Sequence, residues 1–168
     1  MEGDLIFDFK VIRDNKTIAI QREFDAQISL VWSAWTTSEL LDQWWGPKPW
    51  RAETKEMDFR EGGHWHYAMV GPEGEKHWSR AAFIKIVDEK SFSVKDGFCD
   101  EEGEINPNMP QSLWENQFNQ QQGKTLVSMY LSFDTVHDLD QNLEMGFQEG
   151  FTMCLNQLDE LLEHLKQA

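Results

Sequence analysis

Two histidines one residue apart, in His64-Trp65-His66, are the first feature of this sequence with chemical potential. On a strand that spacing puts both imidazoles on one face, an arrangement that suits zinc or copper, with His77 available from a neighbouring strand. No cysteine or acidic residue is clearly placed to complete a ligand set, and the alternation of the segment turns the pair away from the core, so no metal is expected. Cys99 and Cys154 match no zinc or redox spacing, have no histidine at an offset used in thiol catalysis, and need not pair. Neither G-x-S-x-G nor G-x-x-x-x-G-K-[ST] occurs, which removes the common nucleophile elbow and phosphate loop. The carboxylates read as a solvated surface without a distinct acid–base pair. No catalytic residue is singled out and no cofactor is expected.

Aromatic residues point instead to binding. All of the 8 tryptophans fall between Trp32 and Trp114. Side chains of that bulk either fill a core or line a concave site. Alternation places Trp65, Tyr67, Phe98, Trp114 and Phe118 on the inner face of strands, opposite Phe147 and Phe151 on a helix. Such a set can pack solid or enclose a pocket of ~300 to 1,000 Å³. Asn116 shares parity with Trp114 and Phe118, and Asp96 lies in the same way between Val94 and Phe98. A buried amide or carboxyl needs a partner, which is backbone, water or a ligand. Gly146 and Gly150 fall on one face of a helix, where each costs about 1 kcal/mol relative to alanine. Close packing, a cavity or a bend would each account for them. The predicted binding set is therefore Trp45, Trp65, Tyr67, Phe98, Trp114 and Met129 with Phe147 and Phe151, the polar Asn116 and Asp96, and Gly150 as the gap in the helix.

The elements that must position these residues are legible from periodicity. FDFKVI and TIAIQREF alternate around Arg13-Asp14-Asn15-Lys16, predicting a hairpin. Ile28, Val31, Trp32 and Trp35 mark one short helix. Thr36-Thr37-Ser38-Glu39 has capping-box form and predicts a second, carrying Leu40, Leu41, Trp44 and Trp45 inward. From Trp50 to Phe133 alternation and turn residues predict an antiparallel meander of about six strands, with its one long loop at Asp100 to Gln111. His64, His66, Ser128 and Ser132 should face outward. The stripe Leu139, Leu143, Phe147, Phe151, Cys154, Leu158, Leu161, Leu162 and Leu165 predicts one long helix of about seven turns, which must bury its apolar side on the sheet.

The chain has 168 residues, with 40% hydrophobic and 27% charged, a globular composition that excludes a disordered or collagenous protein. One α+β domain over residues 1–168 is predicted, with residues 1–16 adding an N-terminal strand. A net charge of −15 argues against nucleic acid as a partner, because phosphate contacts need clustered cations. After Cys99 the only lysines or arginines are Lys124 and Lys166, so most of the acidic excess lies there. It keeps the chain soluble by self-repulsion or offers a surface to a basic partner. No membrane span or secretory leader is recognised, and a cytoplasmic protein is expected.

Particular segments resemble a known family. Arg22-Glu23-Phe24-Asp25-Ala26, Val31-Trp32-Ser33-Ala34-Trp35-Thr36 and Trp44-Trp45-Gly46-Pro47 are similar to the "R-x-F-x-A-P", "V-W-x-A-W-T" and "W-W-G-P" blocks of the family of activators of heat-shock protein 90 ATPase homologues. The likeness continues through Asp58 to Trp65, Gly71-Pro72-Glu73-Gly74 and Glu144 to Phe151. Gln27 stands in place of the family's proline, and Thr37-Ser38 in place of its "D-P". The resemblance implies the START-related (SRPBCC) helix-grip fold: a curved antiparallel sheet, there of six to seven strands, wrapped around a long C-terminal helix, with two short helices and a hydrophobic cavity. Relatives include lipid carriers, cyclases and a co-chaperone domain, so fold alone leaves function open. Three functions are carried forward: a non-catalytic binder of a small hydrophobic or aromatic molecule, a cyclase- or hydrolase-type enzyme using the same cavity, and a regulator of a chaperone ATPase. The chain would act as a monomer or a homodimer, the free edge of its N-terminal strand being open to pairing.

Overall fold

The computed structural model describes residues 5–167; residues 1–4 and 168 of the predicted domain lie outside the described residues. Strands β1 (Phe7–Ile12) and β2 (Thr17–Phe24) form the expected hairpin. Lys16 closes its turn in the left-handed conformation, φ 53°. Along β2 half-buried and buried residues alternate, so Ile18, Ile20, Arg22 and Phe24 all face the core. Arg22 is an unusual tenant there: its guanidinium lies over the Phe7 and Phe24 rings and donates to Asn156 Oδ1 at 3.0 Å.

Helices α1 (Ile28–Thr36) and α2 (Ser38–Trp44) follow. The expected capping box does not form. Thr36 and Thr37 instead donate their hydroxyls back to Trp32 O and Ser33 O, both at 2.8 Å, and so finish α1 rather than cap α2. Trp44 is fully buried and donates its indole N–H to Ala34 O at 2.9 Å, which ties the two helices together.

The meander has the six strands expected: β3 (Arg51–Met57), β4 (His64–Val70), β5 (Lys76–Val87), β6 (Ser91–Cys99), β7 (Ser112–Gln121) and β8 (Lys124–Phe133). Together with the hairpin they make one sheet in the order β1-β2-β8-β7-β6-β5-β4-β3, antiparallel throughout. The 8 strands exceed the six to seven expected, because both strands of the hairpin join the sheet.

The single C-terminal helix anticipated from the apolar stripe is two. Helix α3 (Val136–Glu144) is capped by Thr135, whose hydroxyl accepts from Asp138 N at 3.0 Å. Helix α4 (Phe147–Lys166) begins after Gly146, which has φ 86° and no atom within 4 Å of where a Cβ would stand. Gly146 is thus a joint between helices, where a left-handed residue is needed, and not an interior position. Helix α4 then lays Phe151, Cys154, Leu155, Leu158 and Leu162 along the inner face of the sheet, each at most 6% exposed. Full burial of such side chains contributes ~1.5 to 3 kcal/mol apiece and holds the helix in the grip of the sheet.

Candidate functional site

Between α1, α2 and strands β4 to β7 lies a chamber walled by aromatic rings. Its lining includes Trp35, Trp45, Trp65, Tyr67, Phe83, Phe92 and Trp114, with Leu41, Ala81 and Val94 between them. Two polar side chains break that apolar wall, Asp96 on β6 and Asn116 on β7. The free space amounts to about 30 Å³, room for a water molecule, so of the two arrangements open to the aromatic set the structure is close to the solid one. Trp45 is the reason. Its ring centroid lies 5.5 Å from Trp65, 5.8 Å from Trp114 and 5.6 Å from Phe151, so one indole occupies the middle of the chamber.

Each wall residue is held by its own element. Asp42 on α2 accepts from Thr54 Oγ1 at 2.7 Å and from Thr54 N at 3.1 Å; Thr54 Oγ1 in turn accepts from Trp65 Nε1 at 2.9 Å. That chain joins α2 to β3 and sets the Trp65 ring, which stacks on Tyr67 at 3.9 Å. Trp45 follows α2 in extended conformation, and its Nε1–H donates to Tyr67 Oη at 3.1 Å. Trp114 Nε1–H donates to Ser112 Oγ at 3.0 Å.

Electrostatics single out the two polar groups. Burial pushes the Asp96 carboxyl up to about 7, against a stabilising hydrogen bond from the Gly97 backbone N–H. The residue as a whole is half-buried, with its carboxyl turned inward. Burial, helped by the nearby Asp96 charge, raises the Tyr67 phenol well above its ordinary value, so it stays protonated. Asn116 is 2% exposed and its Oδ1 has no hydrogen-bond partner among the described residues. An acceptor buried without a partner costs about 1 to 3 kcal/mol, and such atoms are rare in folded proteins.

Comparison with known proteins can now be set beside this geometry. The family model described as "Activator of Hsp90 ATPase homolog 1-like protein" matches residues 25–163. The chain belongs to that family. Solved structures extend the likeness over nearly the whole chain. A crystal structure from Mycobacterium smegmatis is 32% identical, with a TM-score of 0.86 over 95% of this chain and 97% of that one. A solution structure from Arthrobacter aurescens is 27% identical, with a TM-score of 0.88 over 94% and 91%. One from Staphylococcus epidermidis is also 27% identical, with a TM-score of 0.81 over 92% and 93%. No curated protein matches. The fold of this activator-homologue family member is therefore the helix grip that its motifs implied.

The chamber gathers only some of the residues read from the sequence. Trp45, Trp65, Tyr67, Asp96, Trp114 and Asn116 line it. Phe147 and Phe151 do not reach the free space; they stack on each other at 5.3 Å and press edge-on against Trp114. Met129 is fully buried core, paired across the sheet with Asn116. Phe98 is half-buried beyond the chamber, past the point where β6 leaves its pairing with β7 at Asp96. Gly150 faces Pro47, whose Cγ lies 3.6 Å from where a Cβ would stand, so this glycine makes no room for a ligand. Trp35, Leu41, Ala81, Phe83, Phe92 and Val94 also line the chamber and lie outside the expected set, although Trp35 and Leu41 are legible as inward residues of the two short helices.

The histidine pair behaves differently again. His64 pairs with Glu56, while His66 is 6% exposed beneath the loop after β6, its Nε2 3.1 Å from Asp100 O. His77 stands opposite Met69 and packs on Trp50. No group of three or more His, Cys, Asp or Glu among the described residues is arranged to hold a metal. Among the described residues no helix is long and apolar enough to cross a membrane.

Proposed function

We propose that this protein is a non-catalytic binding domain that takes a small hydrophobic or aromatic molecule into the aromatic chamber. The observation that carries this reading is Asn116 Oδ1, an unpartnered acceptor aimed into an apolar wall. A ligand with one hydroxyl or N–H donor on a flat apolar body would satisfy it, while Asp96 supplies a second acceptor nearby. With about 30 Å³ of free space the chamber is too small for such a molecule, so binding requires aromatic side chains to give way. Gly46, beside Trp45, is locked, since a Cβ there would stand 2.9 Å from Arg51 Cα and Met69 Sδ. Gly146, beside half-buried Phe147, has open space around it.

Isothermal titration with a panel of phenols, naphthols and medium-chain alcohols tests this. The expected result is saturable binding by at least one class, weakened about tenfold or more in Asn116→Leu, with the matching hydrocarbon binding the unaltered protein less tightly. Absence of binding across the panel, or equal affinity in the variant, would refute it.

A second reading draws on Asp96. A carboxyl that titrates near 7, beside a protonated Tyr67, is poised to move a proton, as a cyclase- or hydrolase-type enzyme would need. Turnover of a bound molecule that is lost in Asp96→Asn with affinity retained would favour catalysis over simple binding. Regulation of a chaperone ATPase is suggested by the family description alone. It predicts faster ATP hydrolysis when the protein is mixed with its cognate chaperone.

A further inference from the structure

The convex face of the sheet carries a second cleft, of about 280 Å³, lined by Lys55, Glu56, His64, His66, Arg80, Glu102 and Gly103. It is polar where the inner chamber is apolar, and three local features build it. The first is a bulge in β3. Thr54 pairs with Tyr67 and Glu56 with His66, leaving Lys55 as the extra residue of the strand. The consequence is that two consecutive side chains, Lys55 and Glu56, line the same cleft, which regular alternation forbids.

The second is the turn after β6. Gly103 has φ 91°, and a Cβ on it would approach Arg80 Cδ and His66 Cε1, both at 3.8 Å. The turn lies over His66 and accepts at Asp100 O from the His66 Nε2–H, 3.1 Å away. A carbonyl only accepts, so Nε2 carries a proton and Nδ1 is the ring nitrogen left for another partner. The third is a shortage of carboxylates for the cations. Arg80, opposite His66 on β5, has no hydrogen-bond or ion-pair partner among the described residues. Lys55 donates to the neutral Glu101 O at 2.8 Å and lies over the Trp78 ring at 5.6 Å. Of the two acidic residues in the cleft, Glu56 is engaged by His64, leaving Glu102. In a chain with 30 acids against 15 basic residues, a cleft whose lining has as many lysine and arginine as acidic side chains is less acidic than the protein as a whole.

From these features we infer that the cleft binds a small hydrophilic oxyanion, a carboxylate or phosphate that also carries a hydroxyl donor. Arg80 presents a planar fork to the oxyanion and Lys55 a second positive charge, while Nδ1 of His66 or the Glu102 carboxylate accepts from the hydroxyl. Trp78, whose ring centroid lies 5.0 Å from that of His66, forms an aromatic flank. This site is on the opposite face of the sheet from the aromatic chamber and stands whether or not that chamber takes a ligand.

Glycerate and glycerol phosphate serve as probes, one for each oxyanion, followed by amide and indole chemical shifts at Gly103 and Trp78. The expected result is saturable shifts at both positions with at least one probe at millimolar concentration. Arg80→Gln should weaken that binding by about tenfold or more, Arg80→Lys should restore part of it, and Lys55→Met should weaken it less than Arg80→Gln. Response to one probe alone supports the site and names its oxyanion. Neither probe moving Gly103 and Trp78, or Arg80→Gln binding as tightly as the unaltered protein with an unchanged thermal midpoint, overturns the inference.

Discussion

Replacing Asp96 with asparagine removes the one carboxyl that reaches the aromatic chamber while keeping its shape and its acceptor for the Gly97 N–H. Burial raises this group from 3.8 to about 7. That gap corresponds to about 4 kcal/mol if the whole shift acts on stability. Because the residue as a whole is half-buried, about half, roughly 2 kcal/mol, is the expected effect. The sign follows from proton counting. Below about pH 4 the carboxyl is protonated in both folded and unfolded chains and costs nothing. As pH rises toward 7 the unfolded chain releases its proton while the folded one keeps it, so the unaltered protein loses stability; above 7 the full cost is present. Asp96→Asn has no such titration. In urea unfolding followed by far-ultraviolet circular dichroism, the variant should gain on the unaltered protein by about 2 kcal/mol between about pH 4.5 and about pH 8. Stability curves that run parallel over this range would show that Asp96 is solvated and that the chamber is wetter than its walls imply.

Two other substitutions probe the same region without a ligand. Asn116→Leu removes the orphan acceptor and should raise stability in urea by about 1 kcal/mol, the opposite of its effect on binding; a loss would mean that Asn116 is satisfied in solution. Gly150→Ala adds a methyl group at ordinary contact distance from Pro47 and should gain up to ~1 kcal/mol, read as a rise of a few degrees in thermal midpoint. A fall would indicate that α4 needs this glycine to approach its neighbours.

Strand positions were legible because one face of each strand is buried, and β2 shows the alternation in pure form. Helix continuity was harder to read. Leu139, Leu143, Phe147 and Phe151 keep a spacing of four straight through Met145-Gly146, so the apolar period carries no mark of the break. The left-handed backbone at Gly146 makes it. Leu155 is fully buried yet fell outside the expected stripe, which ran through Cys154 and Leu158 and left it at the flank. Chamber volume was beyond reach for a different reason. The same aromatic list fits a hollow or a filled interior, and what decides is the placement of Trp45 at the first non-helical residue after α2. The convex cleft was invisible because it depends on a bulge at Lys55, which changes the face of a side chain without changing its type.

The arrangement of indoles also determines how this protein handles light. Trp35, Trp44, Trp45, Trp65 and Trp114 form a connected set with successive ring centroids 4.7 to 5.8 Å apart, close enough for excitation to pass among them before emission. These five behave as one coupled chromophore centred on Trp45. Trp78 lies against His66 on the other face of the sheet, and no tryptophan ring pairs with it among the described residues. Trp78 is thus optically separate from the coupled five, while Trp32, packed on phenylalanine rings, and Trp50, packed on His77, belong to neither group. A quencher entering the chamber would darken the coupled five together, while an oxyanion in the convex cleft would touch the emission of Trp78 alone.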